Sequence, residues 1–477
     1  MHTIEKIGGT SMSDYAAVRD NIILNTGDQG LYQRVFVVSA YGGVTDQLLE
    51  QKKSGQPGVY GLFASGIEDD SWSINFDPLS AEQNHTNHTL FGDGELVYKA
   101  NRFLTERLDD ARQCLVDLQS LCQHGHFALE GHLDTVREML ASIGEAHSAW
   151  NMVQLLQVDG VNACFVDLTG WRSTVHIPMD ERIQQAFANI DLDKQLPVVT
   201  GYAHSDIGLM TSFDRGYSEM TFSRLAVLTQ AREAVIHKEF HLSSADPRIV
   251  GEDNAVPIGR TNYDVADQLA NLGMEAIHPK AAKGLRQHNI PLRVKNTFEP
   301  EHTGTLITVD YVSDSPQVEI IAGCKGIYAL ELFDQDMAGS IHDYDREVLS
   351  VIARFKAHIV SKDINANTLT HFLSTNLKTV KRIQTALEKC FPEAELNQQK
   401  VALVSAIGSD MQIPGILAKT AQAAANNNIS LLAVHQSMRQ VDMQFIVNES
   451  DYEATIRSLH AALVEVHDHG RAIRLAT

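Results

Sequence analysis

Short apolar runs alternate with longer stretches of helical periodicity through the first 310 residues. The runs predict buried strands, and the periodic stretches predict helices. The predicted strands are Thr3–Ile7, Arg34–Ala40, Asn162–Leu168, Leu196–Tyr202, Ala234–Phe240 and Pro291–Val294, and the predicted helices are Glu95–Cys122, Leu129–Ala141 and Ala146–Val158. This alternation predicts an α/β fold with a mainly parallel central sheet, in which ligands bind beyond the carboxyl ends of the strands.

Residues 51–87 depart from this pattern and are rich in Gly, Ser and Asp. We expect loops and short elements there, serving as a lid or an interaction surface.

The pattern breaks near Val309–Gln317, where we place a domain boundary. Beyond it, two stretches offset by 74 residues share the order strand, helix, hairpin, helix. The paired elements are Ile327–Phe333 with Val401–Ile407, Asp345–Phe355 with Gly415–Ala425, Ile359–Leu373 with Ile429–Val447, and Lys378–Lys389 with Tyr452–Val464. The shared order and offset favour two copies of a small α+β module over coincidence.

The length of 477 residues and the charge narrow the functional classes. At ~150 residues per domain, the length predicts about three domains. The 39 basic and 60 acidic residues give a net charge of −21, which repels nucleic acid and anionic membranes. Any phosphate-binding site must therefore be a local cluster of positively charged groups within this acidic protein. We interpret the acidity as favouring solubility, with adaptation to high salt as the alternative.

The five cysteines are scattered and form no CxxC pair. Neither a zinc site nor a disulfide framework follows, and we predict no metal-binding residue. The chain starts Met1-His2-Thr3 without an apolar signal region and contains no long apolar run. We therefore expect a cytoplasmic protein without a membrane span.

Two glycine-rich turns follow the first two predicted strands. Lys6-Ile7-Gly8-Gly9-Thr10-Ser11 places a cation beside bare backbone N–H groups, which suits a polyphosphate. Ser39-Ala40-Tyr41-Gly42-Gly43-Val44-Thr45-Asp46 is the second turn. Each is also compatible with a plain strand-to-helix turn, but together they indicate phosphate binding.

A third motif, Gly144-Glu145-Ala146-His147-Ser148, is expected at the start of a helix, with Glu145 in the first turn. A carboxylate there either stabilises the helix or receives an ammonium group. Gly94-Glu95-Leu96 looks similar, but the predicted strand Asn162–Leu168 downstream of Gly144 favours Glu145 as the functional carboxylate.

Further motifs lie between residues 214 and 297. In Asp214-Arg215-Gly216-Tyr217-Ser218-Glu219, Arg215 could grip a carboxylate with two hydrogen bonds, and a plain surface loop is the alternative. The others are Ser244-Ala245-Asp246-Pro247-Arg248, Ile277-His278-Pro279 and Leu292–Thr297. A structural role is favoured for His278.

Taken in order, these motifs resemble those of the aspartokinases of the amino acid kinase family, and the C-terminal repeat resembles their tandem ACT modules. The resemblance implies an amino acid kinase (carbamate kinase-like) fold followed by two ferredoxin-like ACT domains. It implies a catalytic domain at 1–310, a first ACT domain at 317–395 and a second at 399–470. It also implies a homodimer or larger assembly, and an amino-acid effector bound within residues 415–437.

The implied reaction is ATP plus L-aspartate giving ADP plus 4-phospho-L-aspartate, with Mg²⁺ bound to the nucleotide. By resemblance, Lys6 and Arg215 are catalytic; the substrate-binding residues are Thr45, Glu145, Arg215, Ser218 and Glu219; and the ATP-binding residues are Lys6, Gly8, Gly9, Ser11, His237, Lys238, Ser243 and Arg248.

The chain departs from the family pattern near the nucleotide. The family's Gly-Gly-Ser-Asp becomes Gly216-Tyr217-Ser218-Glu219, an aromatic residue becomes Ser243, and an acidic residue and a lysine become Lys238 and Glu275. We hypothesise that Lys238 and Glu275 form a pair of reversed polarity. These changes resemble the aspartokinases dedicated to ectoine synthesis.

Two alternative functions stay open at this point. One is a non-catalytic amino-acid sensor with a degraded nucleotide site, although the retained Lys6, Glu145, Arg215 and Arg248 argue against it. The other is a kinase for another amino acid such as glutamate, although the ACT repeat and the Ser39–Thr45 motif favour aspartate.

Overall fold

The computed structural model describes residues 1–25, 30–51, 54–66, 70–124, 126–213, 216–274 and 276–466. Their contacts group into two compact units. Unit 1 comprises Met1–His241 and Ile277–Val309, and unit 2 comprises Leu242–Ala276 and the chain from Asp310 onward. The predicted boundary near Val309–Gln317 coincides with the end of unit 1, but the contacts assign 242–276 to unit 2. The three predicted domain ranges stay a prediction.

Strands and helices are numbered in chain order. The strands are β1 Thr3–Ile7, β2 Arg34–Val38, β3 Ala163–Val166, β4 Leu196–Thr200, β5 Glu233–Lys238, β6 Arg260–Asn262, β7 Leu292–Asn296, β8 Thr305–Thr308, β9 Ile320–Phe333, β10 His358–Asn365, β11 Thr368–Ser374, β12 Glu395–Ile407, β13 Leu431–Gln436 and β14 Asp442–Asn448. The helices are α1 Gly9–Met12, α2 Tyr15–Ala17, α3 Val44–Leu48, α4 Val59–Ser65, α5 Ser71–Ile74, α6 Phe76–Phe91, α7 Glu95–Cys122, α8 Leu133–Val158, α9 Met179–Phe187, α10 Leu209–Phe213, α11 Tyr217–Leu228, α12 Pro247–Val250, α13 Tyr263–Asn271, α14 Pro279–Gln287, α15 Ile341–Arg354, α16 Leu377–Cys390, α17 Ile416–Asn426 and α18 Tyr452–Leu463.

Unit 1 is built on a mainly parallel sheet, as the alternation of strands and helices predicts. Its strands lie in the order β3-β4-β2-β1-β5-β7-β8, and the pairs from β3 to β7 are parallel while β7 and β8 are antiparallel. Strands β1 and β2 are buried throughout, which explains their continuous apolar runs. The carboxyl ends of β1, β2 and β5 therefore lie next to one another at one edge of the sheet.

Two predictions about the helices of unit 1 were wrong. Residues 129–158 were divided into two helices, but α8 runs unbroken from Leu133 to Val158. Residues 51–87 were expected to lack a long helix, yet α6 spans Phe76–Phe91. Its sequence hides the helix because it carries Asn, His and Thr, and because Gln83 and Asn87 are polar but buried.

Unit 2 contains the predicted repeat. The order β9-α15-β10-β11-α16 is followed by β12-α17-β13-β14-α18, so each copy is βαββα as predicted. The strands form one antiparallel sheet in the order β10-β11-β9-β12-β14-β13. Helices α15 and α16 pack on its first half through Leu330 and Leu332, and α17 and α18 pack on its second half.

The two copies share their longest strands, which the repeat did not predict. The Ile327–Phe333 part of β9 pairs with β11 and with the start of β12, and its Ile320–Cys324 part pairs with Leu403–Ile407 of β12. Each copy thus gains its fourth strand from the other copy's stretch of chain.

Candidate active site

The two glycine-rich turns meet at the carboxyl ends of β1 and β2. A Cβ atom built on Gly9 would lie 2.7 Å from the backbone oxygen of Ala40, so the turns approach too closely for any side chain at that position. Gly43 has a φ of +86° and precedes α3, which begins at Val44 and contains Thr45. The predicted pairing of the two motifs is therefore present as a contact between their backbones.

Lys6 extends from β1 into this edge of the sheet. Its side chain is 9% exposed, and its Nζ atom lies 3.4 Å from Oε1 of Glu219 on α11. The other carboxylate oxygen of Glu219 accepts a hydrogen bond from the backbone N–H of His278. Burial raises the pKa of Glu219, but Lys6, Lys238 and the His278 N–H outweigh burial and hold it below its usual value. Lys6 and Glu219 therefore form a charged pair within the site.

His237 lies on the opposite face of the sheet from Lys6. Its Nε2 atom is 2.8 Å from Oε2 of Glu5, and Arg34 donates to both oxygens of Glu5 at 2.7 and 3.0 Å. Since successive strand residues point to opposite faces, Glu5 and His237 share one face, and Lys6 and Lys238 share the other. The side chain of His237 is thus directed away from the face of Lys6 and Lys238, and the nucleotide contacts of His237 and Lys238 stay predictions.

Glu145 lies in the middle of α8, so the prediction that it starts a helix was wrong and the helix dipole does not explain it. Its side chain is buried, and within the described part of the chain its Oε2 atom has no hydrogen-bond partner. Burial raises the pKa of Glu145 to about 8, although Lys6, the Tyr217 hydroxyl and two backbone N–H groups act to lower it. Such a carboxylate is suited to receive a cationic group from a ligand.

The alternative motif behaves as expected of a plain helix start. Glu95 is the first residue of α7, its side chain is 78% exposed, and it pairs with Lys99 one turn later.

Ser218 lies beside Glu145. A Cβ atom on Gly201 would come within 2.8 Å of the Ser218 Cβ and 3.0 Å of the Glu145 Oε2, so both side chains converge on this glycine. The Ser218 hydroxyl also lies 3.5 Å from that of Ser39. Ser218 and Glu145 can therefore contact one ligand.

The remaining predicted residues lie in different surroundings. Ser11 is buried and hydrogen-bonds Thr297 at 3.0 Å, which joins the first and last motifs of unit 1. Ser243 and Arg248 belong to unit 2, where Ser243 donates to the Ala245 oxygen and the exposed Arg248 pairs with Asp246. Arg215 and Glu275 lie outside the described residues. The same holds for the proposed pair of Glu275 with Lys238. All of these roles stay predictions.

A buried polar network behind the site was missed from sequence. It joins Tyr41, Asn87, His147 and Asn151. The available signal was the helical spacing of Glu145, His147, Ser148 and Asn151 within an otherwise apolar stretch, because polar residues on a buried helix face need partners.

His278, expected to be structural, is the N-cap of α14, and its side chain accepts from the backbone N–H of Lys280. Within the described ranges, no group of three or more His, Cys, Asp or Glu side chains is arranged to hold a metal ion. Among the same residues no helix is long and apolar enough to cross a membrane.

The sequence matches known protein families over both units. The model of the amino acid kinase family matches residues 1–296, and a model of the ACT domain matches residues 404–463. Aspartate kinase Ask_Ect of Stutzerimonas stutzeri (strain A1501) is 53% identical over the full length of both chains.

Solved aspartokinase structures share the fold. Escherichia coli aspartokinase III in complex with aspartate and ADP has a TM-score of 0.71 at 18% identity, covering 97% of this chain and 100% of that chain. The same enzyme in complex with lysine and aspartate has a TM-score of 0.72 at 19% identity, covering 97% and 99%. With the family model spanning more than half of the chain and a full-length relative at 53% identity, the chain belongs to the amino acid kinase family and, within it, to the aspartate kinases.

Proposed function

We propose that this chain transfers the γ-phosphoryl group of ATP to the side-chain carboxylate of L-aspartate. The observation that carries the proposal is the buried carboxylate of Glu145, which has an unpartnered oxygen among the described residues and lies close enough to Lys6 for the ammonium to affect its pKa. One site thus offers a receptor for an ammonium group and a cation for a phosphate, beside two glycine turns. A phosphate acceptor that is itself an amino acid needs both.

Each residue then has a defined task. Glu145 accepts hydrogen bonds from the substrate ammonium, with Thr45 and Ser218 beside it. The substrate carboxylate oxygen forms a bond to the γ-phosphorus as the bond from that phosphorus to the β,γ-bridging oxygen breaks, and ADP leaves. Lys6 donates to the oxygens of the transferring group, where negative charge spreads in the transition state, while Glu219 keeps its ammonium in position.

Gly8 and Gly9 have no side chains that would keep a phosphate away from the backbone, although the Gly8 N–H donates to the backbone oxygen of His237 at 3.3 Å. Mg²⁺ would enter with the nucleotide and screen its phosphate charge. For Arg215, Lys238, Ser243 and Arg248, the contacts to substrate and nucleotide are proposed from the resemblance alone.

The resemblance extends the proposal beyond chemistry. The ACT modules would bind an amino-acid effector within residues 415–437, and the assembly would be a homodimer or larger in the cytoplasm. The suffix in the name of the full-length relative, Ask_Ect, supports the role in ectoine synthesis that the resemblance implies.

The test is trapping of an acyl phosphate with hydroxylamine after incubation with ATP, Mg²⁺ and either L-aspartate or L-glutamate. We expect the hydroxamate with aspartate and none above background with glutamate. Product with glutamate alone would reassign the substrate. Absence of product with both amino acids would favour a non-catalytic sensor.

A further inference from the structure

Helix α8 is fastened to the Ser39–Thr45 turn along two of its own turns. Gly144 packs against Ala40 and Val44, where an added Cβ would approach their side chains to 2.8 and 2.9 Å. One turn later, the Ser148 hydroxyl donates to the backbone oxygen of Ser39 at 2.8 Å. The turn proposed to bind aspartate is thus held by the same helix that carries Glu145.

Tyr41 connects this turn to buried polar residues of α8. It is 7% exposed, its hydroxyl accepts from Nδ2 of Asn151 at 3.2 Å, and its ring meets that of His147 edge-on at 5.6 Å between centroids. The turn therefore has a buried side-chain contact as well as backbone contacts with α8.

Asn87 of α6 joins the two α8 residues to each other. Its Oδ1 atom accepts from Asn151 Nδ2 at 2.8 Å and lies 2.7 Å from His147 Nε2, and its own Nδ2 donates to Asn101 on α7. Because Asn87 Oδ1 can only accept, the shorter 2.7 Å contact places the His147 proton on Nε2. The Nδ2 atom of Asn151 lies 3.1 Å from the same nitrogen and then directs its hydrogens to Asn87 and Tyr41 instead. Burial lowers the pKa of His147 to about 3, so the ring stays a neutral donor. The network is buried throughout.

We propose that Asn87, His147, Asn151 and Tyr41 are positioning residues that fix the aspartate-binding turn at a set distance from Glu145. The proposal rests on the proposed function, since it concerns where aspartate binds. It also assigns a task to α6, which would support the substrate side of the site from behind without contacting the ligand. Neither the resemblance nor the motif pattern gives these four residues a role.

Two substitutions test it, and each has a defined readout. Tyr41→Phe deletes a single hydroxyl and keeps the ring. Asn87→Ala removes the shared acceptor, and Gln83→Ala is its matched control, because Gln83 lies one turn earlier on α6, is equally buried and makes none of the network's hydrogen bonds. For each variant, KM is measured for both substrates, and the Kd of L-aspartate is measured by titration calorimetry.

We expect Tyr41→Phe and Asn87→Ala to raise the KM and Kd for aspartate about fivefold or more, the loss of one hydrogen bond, while the KM for ATP stays within about twofold. Gln83→Ala should leave both unchanged. An unchanged aspartate KM in Tyr41→Phe, or an equal rise for both substrates, overturns the proposal even if the variants are less stable. Wild-type protein that forms no product from aspartate would instead overturn the proposed function, and the positioning role with it.

Discussion

The ammonium of Lys6 and the carboxylate of Glu219 lie 3.4 Å apart, in a site where both side chains are largely buried. In this chain glutamate replaces the aspartate of the family motif, and the longer side chain contacts Lys6 and the His278 N–H together. Glu219→Gln keeps the shape but removes the charge that holds Lys6. Since a small misplacement of a catalytic group is costly, we expect kcat to fall between about 10- and 100-fold. Glu219→Asp, which keeps the charge, should lose less; equal losses would show that charge is not what matters.

The raised pKa of Glu145 predicts how aspartate binding depends on pH. Below about pH 8 the carboxyl is protonated and cannot pair with an ammonium. The KM for aspartate should therefore rise as the pH falls, by up to about tenfold for each pH unit, while the KM for ATP stays flat. Steady-state kinetics across this range would show it. Glu145→Gln should weaken aspartate binding and abolish its pH dependence; a flat wild-type profile would contradict the role given to Glu145.

The ionised carboxylate of Glu145 is expected to destabilise the folded protein. The proton of Glu145 is lost near pH 4.5 in the unfolded chain but near pH 8 in the folded one, so this group's contribution to stability falls as the pH rises between those values. Each tenfold change in proton affinity corresponds to about 1.4 kcal/mol, so Glu145→Gln should be more stable than wild type by ~2 kcal/mol or more above pH 8. Urea unfolding at two pH values tests this, because the gain should vanish near pH 4.5.

Gly144 is expected to break the usual rule for glycine in helices. Alanine in an exposed helix interior is more stable than glycine by ~1 kcal/mol, yet here its Cβ would press on Ala40 and Val44. Gly144→Ala should therefore destabilise the protein by about 1–3 kcal/mol and raise the KM for aspartate. Gly131→Ala, where an added Cβ meets nothing within 4 Å, is the control for denaturant unfolding. A stabilised Gly144→Ala would mean that the turn can move away freely.

The elements that are predicted well from the sequence are those whose apolar and polar residues follow a single strand or helix period. Strand β1 and helix α7 were predicted to the residue, because a continuous apolar run and a long amphipathic stretch leave no alternative. Helix α6 was not predicted, because its buried residues include Gln83 and Asn87, which pattern reading places at a surface.

The candidate site shows the same limit. The motifs predict that Lys6, Glu145, Ser218 and Glu219 lie in one site, and the structure places them close together. The motifs do not show that His237 and Lys238 point to opposite faces of the sheet. That distinction depends on strand register, which pairs His237 with Ile7 and directs it to the face that holds Glu5 and Arg34. Resemblance transfers a position along the chain, whereas tertiary pairing decides which face of the sheet the side chain meets.

The two long strands at the centre of the unit 2 sheet belong to both of its halves. Both β9 and β12 run through the two βαββα copies, with a shift of register between Val401 and Leu403 where they pass from one copy to the other. A displacement of either strand would move part of the sheet in both copies. A substitution in the long strand of one copy would therefore also change the packing of the other copy.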